Sequence, residues 1–292
     1  MARSTFIAFT QLLDPDLAEW IEAETAFPNS MVDRITPATT PEVIAEIGER
    51  YGIQDRWPVA AEPFAQWVLK DSSTLGRPAF EDAVVQVVRD VTPYELMKLR
   101  LLNASHQAMC HFGYLSGYCL VHDVAQDPLF ATFLRTSMDE EGVPTLAPVP
   151  GIDLDDYKAT LIERFSNPEI RDTVARLCAE SSDRIPKWLL PVIRANLDTG
   201  GPIGLSTAVV ASWARYAEGT DEDGDLIEIV DALKDSLVPI AQSQHENPTA
   251  FIANRKVFGD LVDDPRFVAE FTRQLESLHA VGARATLEVL VG

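Results

Sequence analysis

The chain has 292 residues, of which 46% are hydrophobic and 24% are charged, so it carries enough apolar material for a sizeable core. Its 24 Lys and Arg residues stand against 45 Asp and Glu residues, which gives a net charge of −21. A surface this acidic repels phosphate backbones and anionic lipids, which argues against nucleic-acid and membrane partners. Three cysteines are too few for a disulfide framework and favour a reducing cytoplasm.

The first ninety residues contain the segments that favour β-strands. Three segments are rich in Val, Ile, Phe and Trp and are bounded by proline or glycine, namely 27–37, 59–69 and 83–88. Three strands form a poor sheet by themselves. We therefore expect this region to be part of a larger α/β structure.

Helices dominate the rest of the chain, and many of their starts are marked by a capping residue followed by proline. This pair occurs at Asp14, Thr40, Thr92, Asp127, Asn167, Asn247 and Asp264. After residue 91 the pattern is almost wholly helical with short polar breaks. The sequence thus predicts a mainly α protein with a boundary near residue 90. The most apolar long stretch, 96–121, contains two basic residues and two histidines, which is typical of a buried helix and not of a membrane span.

The segment 92–106 is the most informative part of the chain. Thr92 and Glu95 predict a capping box at its start, and the apolar residues that follow leave no polar face, which is typical of an interior helix. With about 100° of rotation per residue, Asn103 lies roughly 140° and His106 roughly 80° around the helix from Lys98. Glu95 lies at roughly 60° on the same scale, so all four groups are expected to converge on one site.

These polar groups suit the oxidation of a secondary alcohol. The helix dipole and burial both disfavour a protonated amine at Lys98, which favours a role as general base. Asn103 and His106 can donate hydrogen bonds to an oxygen that gains negative charge. The alternative is a buried polar network that only fixes packing.

A metal site on this helix is not expected. Cys110 and Cys119 differ by about 900° of rotation, which places them on opposite faces. His106 lies one turn from Cys110, but the sequence identifies no third ligand, and neither His111 nor His122 supplies an evident one.

Four segments resemble the polyol-specific long-chain dehydrogenases, a mannitol 2-dehydrogenase-like family. The matching segments occur in the family's order and comprise 27–37, Thr92–Glu95 with Lys98, Asn103 and His106, then 150–158 and 176–186. The resemblance implies an all-α C-terminal substrate domain of the 6-phosphogluconate dehydrogenase C-terminal type over 91–292. A short α/β remnant of a Rossmann-type cofactor domain over 1–90 would precede it.

The resemblance also implies the reaction, which is reversible, metal-independent oxidation of a polyol to a ketose, such as mannitol to fructose, with NAD or NADP. Lys98 would be the general base, Asn103 and His106 would hold the substrate oxygen, and Glu95 would gate the proton's passage to solvent.

Four further residues take their expected roles from the same resemblance. Asp33, Arg176 and Arg184 would contact the other hydroxyls of the polyol, and Val32 would contact the cofactor. Position 184 is usually lysine in the family, and arginine keeps the charge but not the geometry.

The sequence departs from the family's pattern in the motif that binds the nucleotide cofactor. The fifteen glycines of the chain contain no Gly-x-Gly-x-x-Gly pattern, and a second oxygen-holding asparagine of the family is absent. We therefore expect the chain to begin inside the family's architecture, without most of the nucleotide-binding domain. The alternative function is a catalytically silent helical module or interaction partner. The oligomeric state, the particular polyol and the choice between NAD and NADP stay open.

Overall fold

The structure is a computed structural model that describes residues 2–292. Its described part is mainly helical, with one small sheet. The helices are α1 (Ala2–Leu13), α2 (Pro15–Glu24), α3 (Pro41–Tyr51), α4 (Thr92–Met97), α5 (Ala104–Leu115), α6 (Val121–Gln126), α7 (Pro128–Ser137), α8 (Leu154–Phe165), α9 (Val174–Cys178), α10 (Ser181–Trp188), α11 (Leu190–Thr199), α12 (Gly204–Tyr216), α13 (Lys234–Gln242), α14 (Arg255–Phe258) and α15 (Pro265–Val291).

The chain divides into two compact units. Among the described residues, the sheet unit comprises residues 2–35 and Glu62–Glu95, and the helical unit comprises Thr36–Ala61 and Leu96–Gly292. The sheet unit therefore draws on two separate stretches of sequence, with residues of the helical unit inserted between them.

The sheet unit contains three strands in the order β1 (Ser30–Asp33), β2 (Gln66–Lys70) and β3 (Gln86–Val88). The first pair is antiparallel and the second is parallel. All three predicted strands are present, but each is shorter than its predicted segment. Pro28, Pro37 and Pro63 lie inside those segments and cannot donate ladder hydrogen bonds, while Val84 adopts a left-handed conformation with φ of 60° just before β3.

The helical unit is built around α12, whose residues are nearly all buried. This helix packs against α15 and α5. At its C-terminal end Trp213 meets Phe251 edge-on, with ring centroids 4.8 Å apart, and also contacts Phe258. Aromatic pairs in such geometry add to the stabilisation from apolar burial, so this cluster anchors the unit's core.

Most of the predicted helix starts are confirmed. Asp14, Thr40, Asp127 and Asp264 each accept a backbone N–H at the start of a helix whose first residue is proline. Two predictions are wrong. The pair at Asn167 begins only a 3₁₀ turn, Pro168–Ile170, and the pair at Asn247 is followed by a turn instead of a helix. An Asn-Pro pair also suits a β-turn, because Asn is favoured at the first turn position and proline at the second.

Within residues 2–292, no helix is both long enough and apolar enough to cross a bilayer.

Candidate active site

Helix α4 starts differently from the prediction. The Asp90 carboxylate accepts hydrogen bonds from the Thr92 backbone N–H at 3.0 Å and from the Thr92 hydroxyl at 2.7 Å, and these bonds lower the pKa of Asp90. Glu95 instead accepts a hydrogen bond from Asn29 Nδ2 at 3.0 Å. The predicted capping box is therefore wrong, because a carboxylate two residues earlier takes the Thr92 donors.

The continuous helical segment over residues 92–115, called the rod below, carries Lys98, Asn103 and His106 and is not α-helical throughout. Lys98–Asn103 forms a π turn between α4 and α5, and the backbone stays right-handed helical on both sides, at Met97 and Ala104. The assumption of about 100° per residue, which holds for an α-helix, is therefore wrong across this turn, because a π turn closes its hydrogen bonds from i to i+5. Such turns are rare and occur frequently at functional sites.

The three candidate residues of this rod have partly exposed polar side chains. Lys98, Asn103 and His106 are half-buried, whereas Leu101 and Leu102 between them are buried. Asn103 Oδ1 is sealed from solvent and has no hydrogen-bond partner. A buried amide oxygen without a partner costs on the order of 1–3 kcal/mol, so this atom suits a ligand that brings a hydroxyl or amine donor.

The orientation of His106 is fixed by an aromatic neighbour. Its ring centroid lies 4.8 Å from that of Phe165, at the end of α8, with 49° between the ring planes. Phe165 itself is buried. The imidazole therefore lies against a rigid apolar surface, which restricts the directions in which its nitrogens point.

The two predicted substrate arginines lie beside each other. Arg184 in α10 donates to the carbonyl oxygens of Arg176 at 3.3 Å and Leu177 at 3.1 Å, and its guanidinium lies 5.7 Å from the Trp188 ring centroid. Arg176 in α9 forms a two-pronged ion pair with Asp172, which raises the pKa of Arg176. Both side chains are thus held in place by neighbours before any ligand binds.

The helical unit brings five of the eight candidate residues onto adjoining elements. Helix α9 packs against α5, and α10 packs against the π turn. Arg176 and Arg184 therefore lie on helices that contact the rod bearing Lys98, Asn103 and His106.

The other three candidates belong to the sheet unit. Val32 and Asp33 end β1, where Val32 pairs with Trp67 and Asp33 with Gln66. Asp33 is buried with 2% exposure, and Val32 is exposed. Glu95 is half-buried.

Sequence reasoning missed three residues of this region. Phe165 carries no local signal, because its neighbour His106 lies 59 residues earlier in the chain. Asp172 lies four residues before Arg176, a spacing typical of ion pairs, but only a substrate contact was predicted for Arg176. Arg100 is a half-buried guanidinium that donates to the Thr145 carbonyl, and burial lowers its pKa. Its basic side chain inside an apolar helix was the available signal.

The part of the chain that the structure describes contains no turn that fits the pyrophosphate of a dinucleotide. Among the described residues, no strand is followed by a glycine-rich turn that leads into a helix: β3 is joined to α4 by Arg89, Asp90 and Val91. Such a turn is what lets backbone amides approach the phosphates.

The comparisons with known proteins identify the family of this chain. A family profile for the mannitol dehydrogenase C-terminal domain matches residues 90–279. A profile for the mannitol dehydrogenase Rossmann domain matches residues 3–82. The chain therefore belongs to the mannitol dehydrogenase family.

Curated relatives match nearly the whole chain. It is 45% identical to mannitol 2-dehydrogenase of Phaeosphaeria nodorum over 98% of its length and 51% of the relative. It is 41% identical to mannitol 2-dehydrogenase of Aspergillus fumigatus over 98% of its length and 58% of that relative. The chain thus spans little more than half the length of these relatives.

Two solved structures share the fold. The Pseudomonas fluorescens mannitol 2-dehydrogenase ternary complex with NAD and D-mannitol superposes with a TM-score of 0.92 at 42% identity, covering 99% of this chain and 59% of that one. A substrate-free D-sorbitol dehydrogenase superposes with a TM-score of 0.87 at 30% identity, covering 98% of this chain and 59% of that one.

Proposed function

We propose that this chain supplies the proton-handling and substrate-binding part of an oxidoreductase that reversibly oxidises a secondary alcohol of a polyol to a ketose, as in mannitol to fructose. The carrying observation is the rod around the π turn, where Lys98, Asn103 and His106 are partly exposed polar side chains on the same helical segment as the buried Leu101 and Leu102. Membership of the mannitol dehydrogenase family supports the reaction class.

In this proposal Lys98 accepts the hydroxyl proton as general base. Asn103 and His106 hold the reacting oxygen by hydrogen bonds that strengthen as negative charge develops on it. Because the His106 ring lies against Phe165, its hydrogen bond is pre-oriented, which reduces the reorganisation needed during the reaction. No metal is required at this oxygen.

The remaining candidates keep supporting roles. Arg176, Arg184 and Asp33 bind hydroxyls of the polyol away from the reacting carbon. Glu95 passes the proton between Lys98 and solvent. The domain division at 1–90 and 91–292 is part of the proposal, as is the all-α, 6-phosphogluconate dehydrogenase-like character of the second domain.

NAD or NADP is the proposed hydride acceptor, since a solved relative is complexed with NAD, and Val32 is the proposed contact. The residues present do not fit the nucleotide's phosphates, because the glycine-rich turn is missing from the chain. The chemistry assigned to this chain is therefore confined to the proton and the substrate oxygen.

A cytoplasmic location completes the proposal. All three cysteines are free, and Cys119 is exposed, which suits a reducing compartment.

An assembled protein tests the function. The chain is joined to the part of the Phaeosphaeria nodorum relative that it does not cover, and fructose-dependent oxidation of NADH is followed by absorbance. We expect activity from the assembled protein and no saturable NADH binding, by fluorescence titration, from the 292-residue chain alone. A well-folded assembly that binds NADH but reduces no ketose would contradict the proposal and favour a catalytically silent module.

A further inference from the structure

Two thiols and an imidazole meet inside the helical unit. Cys110 and His111 lie on α5, and Cys178 is the last residue of α9. Both cysteines and the histidine are buried, with exposures of 0%, 0% and 3% for Cys110, His111 and Cys178. Their ligand atoms lie within 4.8 Å of one another, and Cys110 Sγ is 3.5 Å from His111 Nδ1.

A neighbouring serine sets the tautomer of the histidine. Ser181 Oγ donates to the Cys178 carbonyl at 2.9 Å and lies 3.0 Å from His111 Nε2. Because the hydroxyl proton is used on the carbonyl, the serine oxygen accepts from Nε2–H. The lone pair of a neutral His111 is therefore on Nδ1, the nitrogen that faces Cys110 Sγ.

We propose that Cys110 Sγ, Cys178 Sγ and His111 Nδ1 bind one soft d¹⁰ metal ion, Zn²⁺ or Cu⁺. Thiolates with an imidazole are the donors that these ions prefer. Zinc bonds of about 2.3 Å to sulfur and about 2.0–2.1 Å to nitrogen place S and N ligands roughly 3.5 Å apart at a tetrahedral ion, which is the separation of Cys110 Sγ and His111 Nδ1.

The hydrogen bond to Ser181 adds an independent argument. Histidines that bind metals almost always donate their other ring N–H to a fixed acceptor, which orients the ring and raises its basicity. Metal binding releases the two thiol protons to solvent and leaves both cysteines as thiolates. Their two negative charges neutralise Zn²⁺ and leave one net negative charge with Cu⁺.

The ion would fix elements that carry the candidate active site. His106 lies one turn before Cys110 on α5, Arg176 lies two residues before Cys178, and Ser181 begins α10. A bond between α5 and the α9–α10 junction therefore holds the positions of these side chains. The role is structural, since all three ligands are buried and none contacts substrate in the proposed reaction.

Metal content of the intact 292-residue chain tests the site. The protein is purified under reducing, oxygen-free conditions, loaded separately with Zn²⁺ and with Cu⁺, desalted, and analysed by mass spectrometry for bound metal. We expect one equivalent of one of these ions and an X-ray absorption spectrum with two sulfur neighbours, near about 2.3 Å for zinc. Comparison of the two loadings decides which ion is preferred.

Variants assign the ligands. Cys178→Ser and His111→Gln are expected to lower metal affinity at least tenfold and to abolish the gain in melting temperature on loading. Cys119→Ser, which makes the same change at an exposed cysteine, is expected to bind like the unmodified chain. Should Cys178→Ser fail to fold, Co²⁺ loading of the unmodified chain still tests whether both cysteines bind the metal, because two thiolates give an intense sulfur-to-cobalt charge-transfer band.

Three results would overturn the site. They are the absence of stoichiometric metal and of the cobalt band in the unmodified chain, unchanged metal affinity in folded Cys178→Ser, and a Cys110–Cys178 disulfide detected as the loss of two hydrogens from the intact mass of the freshly purified protein.

Discussion

Asn103 combines a role predicted from the sequence motif with a buried atom that lacks a hydrogen-bond partner. Its Oδ1 is buried without a hydrogen bond, and native proteins satisfy most such atoms. The sequence indicated the residue because a polar side chain interrupts an apolar helix. It could not indicate that Oδ1 is buried without a partner, because that depends on the packing of other segments around the π turn.

Replacement of this side chain tests its contact with the reacting oxygen. In the assembled protein we expect Asn103→Ala to lower kcat for fructose reduction about 10²–10³-fold, the usual loss for one preorganised hydrogen-bonding group at a developing oxyanion. Asn247→Ala, in an exposed turn, is the matched control and should retain full activity. Unchanged steady-state kinetics in Asn103→Ala would assign the residue to packing alone.

His106 illustrates what the sequence omitted. The motif indicated the residue, but its aromatic neighbour Phe165 lies 59 residues further along on another helix. Nothing local to Phe165 distinguishes it from any other core phenylalanine. Cys178 was missed as a partner of Cys110 and His111 for the same reason, because only the packing of α9 against α5 brings them together.

Among the secondary-structure elements, the capped helix starts were predictable because a cap and its helix are contiguous. Helix α12 is a contrasting case. The carboxylate of Glu141, more than sixty residues earlier, accepts from the backbone N–H groups of Leu205 and Ser206. Burial raises the pKa of Glu141. A helix start that is stabilised by such a distant residue leaves no signal in the sequence around the helix.

The close contact of α5 with α6 predicts the effect of one methyl group. A Cβ at Gly113 would lie 2.8 Å from Val124 Cγ2, and Val124 is fully buried. We expect Gly113→Ala to lower the free energy of unfolding by about 1–3 kcal/mol through overpacking, measured by urea denaturation. Gly48→Ala, inside α3 with its nearest neighbour 3.9 Å away, should instead stabilise the chain by up to about 1 kcal/mol. Equal effects of the two substitutions would contradict this packing.

The contact of α7 with α15 predicts a pH dependence. Burial raises the pKa of Asp127, but hydrogen bonds from Arg284, Tyr118 and the Leu129 N–H outweigh it, so this pKa lies below its ordinary value of 3.8. Its contribution to stability is therefore complete above that value and is lost as the pH falls through the folded-state pKa.

Calorimetry across pH measures this contribution. Asp127→Asn is expected to melt below the unmodified chain at pH 7, and the difference should shrink as the pH falls below 3.8. Asp198→Asn, the same change at an exposed position of α11, should show neither effect. A melting-temperature difference for Asp127→Asn that persists unchanged in acid would contradict the ion pair's role.

For the whole molecule, composition predicted the class of fold but not its division. Strand and helix signals predicted a small sheet followed by helices, and both are present. The assignment of 36–61 to the helical unit and of 62–95 to the sheet unit was not predictable, because it depends on contacts between stretches distant in sequence.

The net charge of −21 predicts how salt affects stability. Raising ionic strength from about 0.01 M to about 0.15 M shortens the screening length from roughly 30 Å to roughly 8 Å, which weakens repulsion among surplus carboxylates. We expect the melting temperature to rise over this range, as followed by circular dichroism. A fall would show that the loss of ion pairs outweighs the relief of repulsion.

The assignment of Lys98 as general base is tested most directly by steady-state mannitol oxidation in the assembled protein carrying Lys98→Ala. The matched control is Lys187→Ala, which removes an exposed lysine of α10 paired with Asp183. We predict that kcat falls about 10²–10⁴-fold in Lys98→Ala, the usual contribution of a general base, while Lys187→Ala retains normal turnover. Near-normal turnover by a folded Lys98→Ala protein would contradict the assignment.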